Sequence, residues 1–360
     1  MMNSMCIRTF EVYALNLLLR ECISTLFTQN AQVEGVRISL RNDDARRLIM
    51  DQYTQKTKSW LDQRFKKCDQ HRIYYAHQPI YGFRKGHSEP FIIARYIRTY
   101  QIMKALSRLE FDSLLDVGGA EGYTAYIVKR LFNAKVRNSD LSEEACKRAG
   151  EIFDIESITA DIHDLPFKNN EFDVVLCSET LEHVADLDRA IGELLKVASK
   201  AVVITVPYEP REVVDKNVEE QIPHGHLHHF DLKSFNFLQS YGHHILSRKM
   251  VSPLLMIHAV LMEAEPIPEE YCEKMRLPEI FTDIYNASMP ILRKLFGKKT
   301  AAFLIALDDF VCKFTPFHNT ILFVVLKDNR CYRREEIPKI SAYQIINLGV
   351  PYHYVEKSVD

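Results

Sequence analysis

No CxxC pair and no regular cysteine spacing occurs among the eight cysteines of this 360-residue chain. That argues against a zinc knuckle and against a disulfide framework, and reduced thiols in a cytoplasmic compartment are the expectation. Long apolar runs are missing too. The most apolar N-terminal stretch, 10–27, is interrupted by Glu11, Arg20 and Glu21. It is short for a membrane span and lacks both the charged start and the small-residue cleavage site of a signal peptide. The sequence therefore predicts a soluble protein with no transmembrane segment. Charge of one sign is lacking as well: the net charge of -2 gives no global attraction to nucleic acid. The single tryptophan, Trp60, lies among lysines and arginines in the charge-rich segment 42–70, read as a solvated helix with one anchoring aromatic. No stacking platform of interleaved aromatic and basic residues is visible, so a nucleic-acid partner is not expected.

What is present is an ordinary globular composition, 47% hydrophobic and 26% charged, with strand and helix patterns in alternation. Short apolar strands are expected at 113–117, 135–139, 156–159, 172–177, 201–206 and 244–250. Helices fall between and after them at 122–132, 142–150, 186–198 and 231–241. LLDV, FDVVLC and AVVITV are nearly continuous apolar runs, as strands buried on both faces require. Such alternation predicts a doubly wound, mostly parallel sheet with helices on both faces. Thr320–Leu326, TILFVVL, reads as the last strand, which leaves 252–318 as an insert with helical patterns at 278–296 and 301–314.

The stretch FDSLLDVGGAEGYTAY, 111–126, organises the rest. A buried strand runs into Gly118 and Gly119, and Gly122 follows just before helix-forming residues. Glycines allow close backbone approach to a ligand, and the unpaired N–H groups of a helix start face it. Asp116 ends the strand, where a phosphate-binding loop would rarely place a carboxylate. Asp140 ends the second strand, at a spacing that suits an acidic residue holding the two hydroxyls of a ribose. Asp161 follows the third.

Taken together, DVGGAEG, Asp140, ADIHDLPFKNNEFDVVLC and LEHV resemble the class I S-adenosylmethionine-dependent methyltransferases, over roughly residues 111–250. The resemblance implies a seven-stranded Rossmann-like methyltransferase fold with S-adenosylmethionine as cofactor. Asp116, Gly118 and Gly119 would then contact its methionine part, with Gly122 closing the loop. Asp140 and Leu141 would hold the ribose, Asp161 and Ile162 the adenine edge, and Cys177 and Ser178 would line the loop after the fourth strand. Ala120 departs from the family pattern, standing where a middle glycine is usual. A slightly shifted loop with retained binding is expected. A non-catalytic cofactor-binding partner subunit is the alternative that this departure keeps open.

Glu179, Glu182 and His183 of ETLEH fall at i, i+3 and i+4 on what reads as a helix start. Two carboxylates and an imidazole there suit a divalent cation, with His228 of the downstream cluster His224, His226, His228 and His229 as a further ligand. The pattern is similar to that of the small-RNA 3′-terminal 2′-O-methyltransferases, where a metal holds the terminal ribose hydroxyls, and also to the ubiquinone-pathway O-methyltransferases. Orienting the loop, or general-base work by His183 or the 226–229 cluster, is the competing and favoured role.

The domain plan is 1–110, a helical extension with Tyr81, Arg84 and His87 as lid residues; 111–251, the cofactor-binding core; 252–318, a helical cap over the acceptor or else a dimerisation element; 319–327, the last strand; and 328–360, a tail. CSET follows the fourth strand instead of an Asn-Pro-Pro-Tyr-type amine motif. The acceptor is accordingly expected to be a small or medium hydroxyl-bearing molecule: a sugar, a lipid-linked glycan or a quinone-like ring. Metal-assisted methylation of an RNA 3′ end is the second enzymatic reading.

Overall fold

The computed structural model describes residues 42–67, 76, 78–81, 92–220, 222, 224–252, 287 and 298–349. Its centre is a seven-stranded sheet in the order β3-β2-β1-β4-β5-β7-β6. The strands are β1 Ser113–Val117, β2 Lys135–Asp140, β3 Ser157–Thr159, β4 Phe172–Ser178, β5 Ala198–Pro207, β6 His244–Met250 and β7 Thr320–Leu326. Pairing is parallel from β3 through β5, while β7 runs antiparallel to both β5 and β6. The middle strands carry nearly continuous apolar runs because both of their faces are covered; all seven residues of β7 are buried.

Alternate side chains feed two cores. Leu114, Val174, Val203 and Val324 pack on one face with helices α2 (Ile92–Leu106) and α3 (Tyr123–Phe132). Leu115, Val175, Ile204 and Phe323 pack on the other, with Leu194 of α5 (Leu187–Val197) and with Phe230 and Phe235. Helix α4 (Glu143–Phe153) crosses between β2 and β3 and is capped by Ser142, whose Oγ accepts the Ala145 amide. Asp186 caps α5 in the same way through the Arg189 amide.

The sheet matches the sequence reading closely, and three local expectations change. Residues 231–241 form a turn followed by a 3-10 segment, Asn236–Tyr241, and no α-helix. Asp231 accepts the Lys233 amide at 2.7 Å and Ser234 Oγ bonds back to the Asp231 amide; such local bonds compete with a helical ladder. Residues Leu181–His183 make a single 3-10 turn, with Glu179 before it at φ 53°. Glu179, Glu182 and His183 therefore do not share a helix face. Charge-rich 42–70 contains α1, Asn42–Lys66, whose Thr57, Leu61 and Phe65 are buried; it is a packed wall and not a solvated helix.

Beyond the core lie α6 (Arg211–Glu219), α7 (Lys298–Phe314) and α8 (Ala342–Asn347). Helix α7 is the main described element of the insert and packs beside α2, α8 and β6. The expected helices at 10–27 and 278–296 lie outside the described residues, apart from 287, as do Arg84 and His87. Tyr81 is a core residue, 2% exposed. No helix among the described residues is long and apolar enough to cross a membrane.

Candidate active site

The C-terminal ends of the parallel strands open into a cavity of about 570 Å³, a volume typical of small-ligand sites. In open α/β sheets ligands bind at this edge, where the loops after the strands diverge. Gly118, Ala120, Asp140, Leu141, Asp161 and Ile162 line one end, and Ser178, Glu179, Glu182, His183, Glu209 and His226 line the other. Helix α1 contributes Tyr53, Thr57, Leu61 and Phe65 to its wall, and α2 contributes Arg95 and Arg98.

The glycine-rich loop is shaped by what surrounds it. Gly118 has φ 70° and Gly122 φ 78°, conformations that side chains resist. A Cβ on Gly119 would meet Asn138 Oδ1 at 2.0 Å and the Asp116 carboxylate at 2.7 Å. Ala120 also lies in the left-handed region, at φ 47°, so the loop keeps its course with alanine at some cost in strain. Its amide donates to Asp140 Oδ2 at 2.9 Å, and the Ser142 amide donates to Asp140 Oδ1 at 2.9 Å. Burial pushes Asp140 up to about 6 even so. Asp116 is 1% exposed, and burial, with the Asp140 carboxylate adding to it, pushes it up to about 7.

Asp161 is fixed by His163, whose amide donates to Asp161 Oδ1 at 2.9 Å and whose Nδ1 lies 2.6 Å from the same oxygen. Because His163 Nε2 accepts the Asp186 amide at 3.1 Å, the ring proton is on Nδ1. Burial opposes ionisation of Asp161, but the His163 bonds outweigh it and hold the carboxyl below its ordinary value.

At the other end, Arg98 pairs with Glu179 at 2.7 Å. Glu182 is 1% exposed, its Oε2 has no hydrogen-bond partner, and burial, then the Glu179 carboxylate, drive it well above the ordinary range. His183 Nδ1 faces the Gly225 carbonyl at 3.1 Å. The proton belongs on that nitrogen, leaving the Nε2 lone pair free, 3.8 Å from Glu182 Oε1. Burial and the adjacent His224 and His226 rings keep His183 neutral, well below its ordinary value. His224 stacks on His183 at 3.7 Å between ring centres and on Trp60 at 4.8 Å. His226 Nδ1 sits 2.6 Å from Glu209 Oε2.

Not every residue expected at the site lines it. Asp116, Gly119, Gly122 and Cys177 are behind the wall: Asp116 and Gly119 support the loop, Gly122 starts α3, and Cys177, fully buried between β1 and β5, belongs to the core. His228 is not a partner of the acidic pair, because its Nε2 lies 2.7 Å from the Val184 carbonyl. His226 takes that place, with ligand atoms of Glu182, His183 and His226 all within 4.8 Å of one another. Four residues of α1 were not anticipated. Their spacing (53, 57, 61 and 65) is a helical stripe, which the surrounding charge conceals.

Residues 115–205 match the family model described as "Methyltransferase domain", and this part of the chain is a class I S-adenosylmethionine-dependent methyltransferase domain. Curated relatives are similar over the same core. The human mitochondrial arginine-hydroxylase NDUFAF5 is 36% identical over 85 residues, 23% of this chain and 25% of that protein. Norajmaline N-methyltransferase of Rauvolfia serpentina is 32% identical over 101 residues, 26% of this chain and 35% of that protein. The chloroplastic tocopherol O-methyltransferase of Arabidopsis thaliana is 26% identical over 148 residues, 38% of this chain and 42% of that protein. The chain thus spans well under half the length of these relatives.

The residues present fit the cofactor of that class. The cavity is large enough, Asp140 and Leu141 line it beside the glycine-rich loop, and the loop backbone lies open to it at Gly118 and Ala120. Asp116 Oδ2, buried without a hydrogen-bond partner directly behind the loop, would supply negative potential in its ionised form, which a cationic ligand favours.

Proposed function

We propose that the chain transfers the methyl group of S-adenosylmethionine to a hydroxyl of a small or medium acceptor. The observation that carries this reading is the division of one cavity into a cofactor end, built on Asp140 and the 118–120 loop, and an acceptor end, built on Glu182, His183 and His226. When bound, the cofactor supplies an electrophilic methyl on a positively charged sulfur, which departs as a neutral thioether. Asp140 would hold the ribose and the 118–120 loop backbone the methionine part, at the end of the cavity opposite the acidic-imidazole cluster. His183 Nε2, its lone pair kept free by the Nδ1 contact to Gly225, takes the hydroxyl proton as the acceptor oxygen forms its new bond to carbon. Arg98, paired with Glu179, partly offsets the like-charge repulsion that Glu179 exerts on Glu182.

The same three side chains favour a second reading, in which a divalent cation sits between Glu182, His183 and His226. Both imidazoles have Nδ1 engaged, with the Gly225 carbonyl and with Glu209, as metal-ligating histidines usually do. The cation would lower the pKa of the acceptor hydroxyl and orient it. A metal-assisted RNA 3′-end acceptor would use the same cluster. The relatives carry both N- and O-methyltransferase names, and hydroxyl transfer is preferred here because the acceptor end offers a neutral base with carboxylates. Ala120 keeps the amide contact to Asp140, which favours retained cofactor binding; turnover is what separates the enzyme from a non-catalytic cofactor-binding partner subunit. A cytoplasmic location and a homodimer remain part of this proposal.

Turnover of labelled S-adenosylmethionine with sugar, quinol and prenyl-lipid hydroxyl acceptors, with and without EDTA, tests the reading. Methyl incorporation that persists in EDTA supports His183 as the base. Incorporation abolished by EDTA and restored by Mn²⁺ supports the cation. Transfer only to amines would contradict the hydroxyl assignment.

A further inference from the structure

Helix α7 is amphipathic in an inverted sense. Its acidic residues point into the molecule: Asp308, fully buried, accepts the Val251 and Ser252 amides at 3.0 and 2.6 Å, and Asp309 pairs with Lys104 and Arg248 at 2.9 and 3.2 Å. Its aromatic residues point out. Phe303, Phe310 and Phe314 are 63%, 60% and 73% exposed, and Phe317 just beyond the helix is 59% exposed. Spaced by seven, four and three residues, they form one stripe, which also carries exposed Lys299 and Lys313; Asp309, largely buried beside it, lies 3.6 Å from Lys313 but is shared with Lys104 and Arg248, so cations outnumber it. Contiguous exposed apolar surface of this kind marks an interaction site.

The stripe leads into the cavity wall. Phe317 is followed by His318, which stacks on half-exposed Tyr208 at 4.4 Å, and then by Asn319 and Thr320, which line the cavity. Val251 lines the cavity too, and Asp308 ties it directly to α7.

We propose that the outward face of α7 docks on an anionic lipid surface and brings the cavity mouth to an amphiphilic acceptor residing in that surface. The substrate class in this proposal rests on the methyl-transfer reading above. Aromatic rings flanked by lysines are the composition of helices that lie in a bilayer interface, where apolar burial and attraction to anionic headgroups add together. A second copy is the poorer occupant: an antiparallel two-fold pairing of this face sets Lys299 against Lys313, and the carboxylate beside Lys313, Asp309, is already shared with Lys104 and Arg248.

Co-sedimentation of the purified full chain with vesicles tests the proposal, using phosphatidylcholine alone and phosphatidylcholine mixed with phosphatidylglycerol at about 3:1. Binding is expected to the mixed vesicles and to weaken with salt. The double variant Phe310→Ser/Phe314→Ser should lower the partition coefficient about tenfold or more, since both rings leave the interface. These side chains are solvent-exposed, so folding is expected to persist, and S-adenosylhomocysteine calorimetry on the same protein checks it. Lys299→Glu/Lys313→Glu should remove the preference for the anionic vesicles. The proposal is overturned if the natural chain does not partition, if the phenylalanine variant partitions equally, or if the variant instead converts a dimer to a monomer. Loss of homocysteine-cofactor binding with vesicle binding intact would sink the methyl-transfer reading and leave the docking face standing.

Discussion

The amide of Ala120 donates to the Asp140 carboxylate at 2.9 Å, which locks the loop after β1 to the end of β2. A residue at φ 47° is held there by its neighbours. Ala120→Gly should remove a left-handed penalty of roughly 1–2 kcal/mol, partly offset by about 0.5–1 kcal/mol of added unfolded-chain entropy. The variant is expected to be slightly more stable by denaturant melt and to keep cofactor affinity. A less stable variant would mean that the alanine methyl packs to more effect than its backbone strain costs.

Proton linkage follows from the buried carboxylates. Asp116, Glu121 and Asp140 are raised to about 7, 7 and 6, chiefly by burial. Raised folded-state values mean that the native protein binds more protons than the unfolded chain, so their contribution to stability is present below about pH 4 and is lost as pH rises through 6–7. A cationic cofactor favours the ionised forms. Affinity for S-adenosylmethionine should therefore rise over the same window, with protons released on binding, more so than for the uncharged thioether product. Calorimetry in two buffers of different ionisation enthalpy measures the release; proton uptake would contradict the assignment.

The acceptor end separates chemistry from cofactor binding. Glu182→Gln and His226→Ala should each reduce turnover at least about tenfold while S-adenosylhomocysteine affinity stays within about threefold, because neither side chain lies at the Asp140 end. His228→Ala, at a residue that faces the Val184 carbonyl, should have the smaller effect on turnover. Steady-state kinetics with matched calorimetry decides. Equal losses for His226→Ala and His228→Ala would undo the placement of His226.

Helix α1 is secured at the cofactor end. Asp62 accepts the Ser142 hydroxyl at 2.5 Å, and Arg148 donates to the Phe65 carbonyl at 3.0 Å. Ser142 also caps α4 and contacts Asp140, so the wall and the ribose carboxylate share one anchor. Asp62→Ala should speed amide exchange across the second half of α1 and weaken cofactor binding by roughly fivefold, about 1 kcal/mol, less than the roughly 1.5–3 kcal/mol of a charged hydrogen bond because Asp62 acts on the ribose carboxylate only through Ser142. Unchanged exchange would show that apolar packing of Leu61 and Phe65 holds the helix alone.

The sheet was legible because buried strands announce themselves as apolar runs: TILFVVL could be set as the last strand across a long insert from composition alone. Asp140 was legible from its distance to the glycine-rich loop. What failed were local competitions that a spacing rule does not weigh. ETLEH has helical spacing, yet Glu179 adopts φ 53° and only one 3-10 turn follows. Four histidines within six residues look equivalent in sequence; backbone carbonyls take His228 and His229, leaving His226 for the acidic cluster. The wall supplied by α1 depends on contacts 80 residues apart, such as Asp62 with Ser142, and long-range packing of that kind carries no local signature.

The most direct test of the account is calorimetric binding of S-adenosylhomocysteine to the natural chain and to Asp140→Asn. Saturable one-to-one binding is predicted, weakened roughly 10- to 100-fold in the variant, as expected for losing charge-assisted bonds worth about 1.5–3 kcal/mol. Absence of binding, or equal affinity in the two proteins, would contradict the assignment of this cavity to the cofactor.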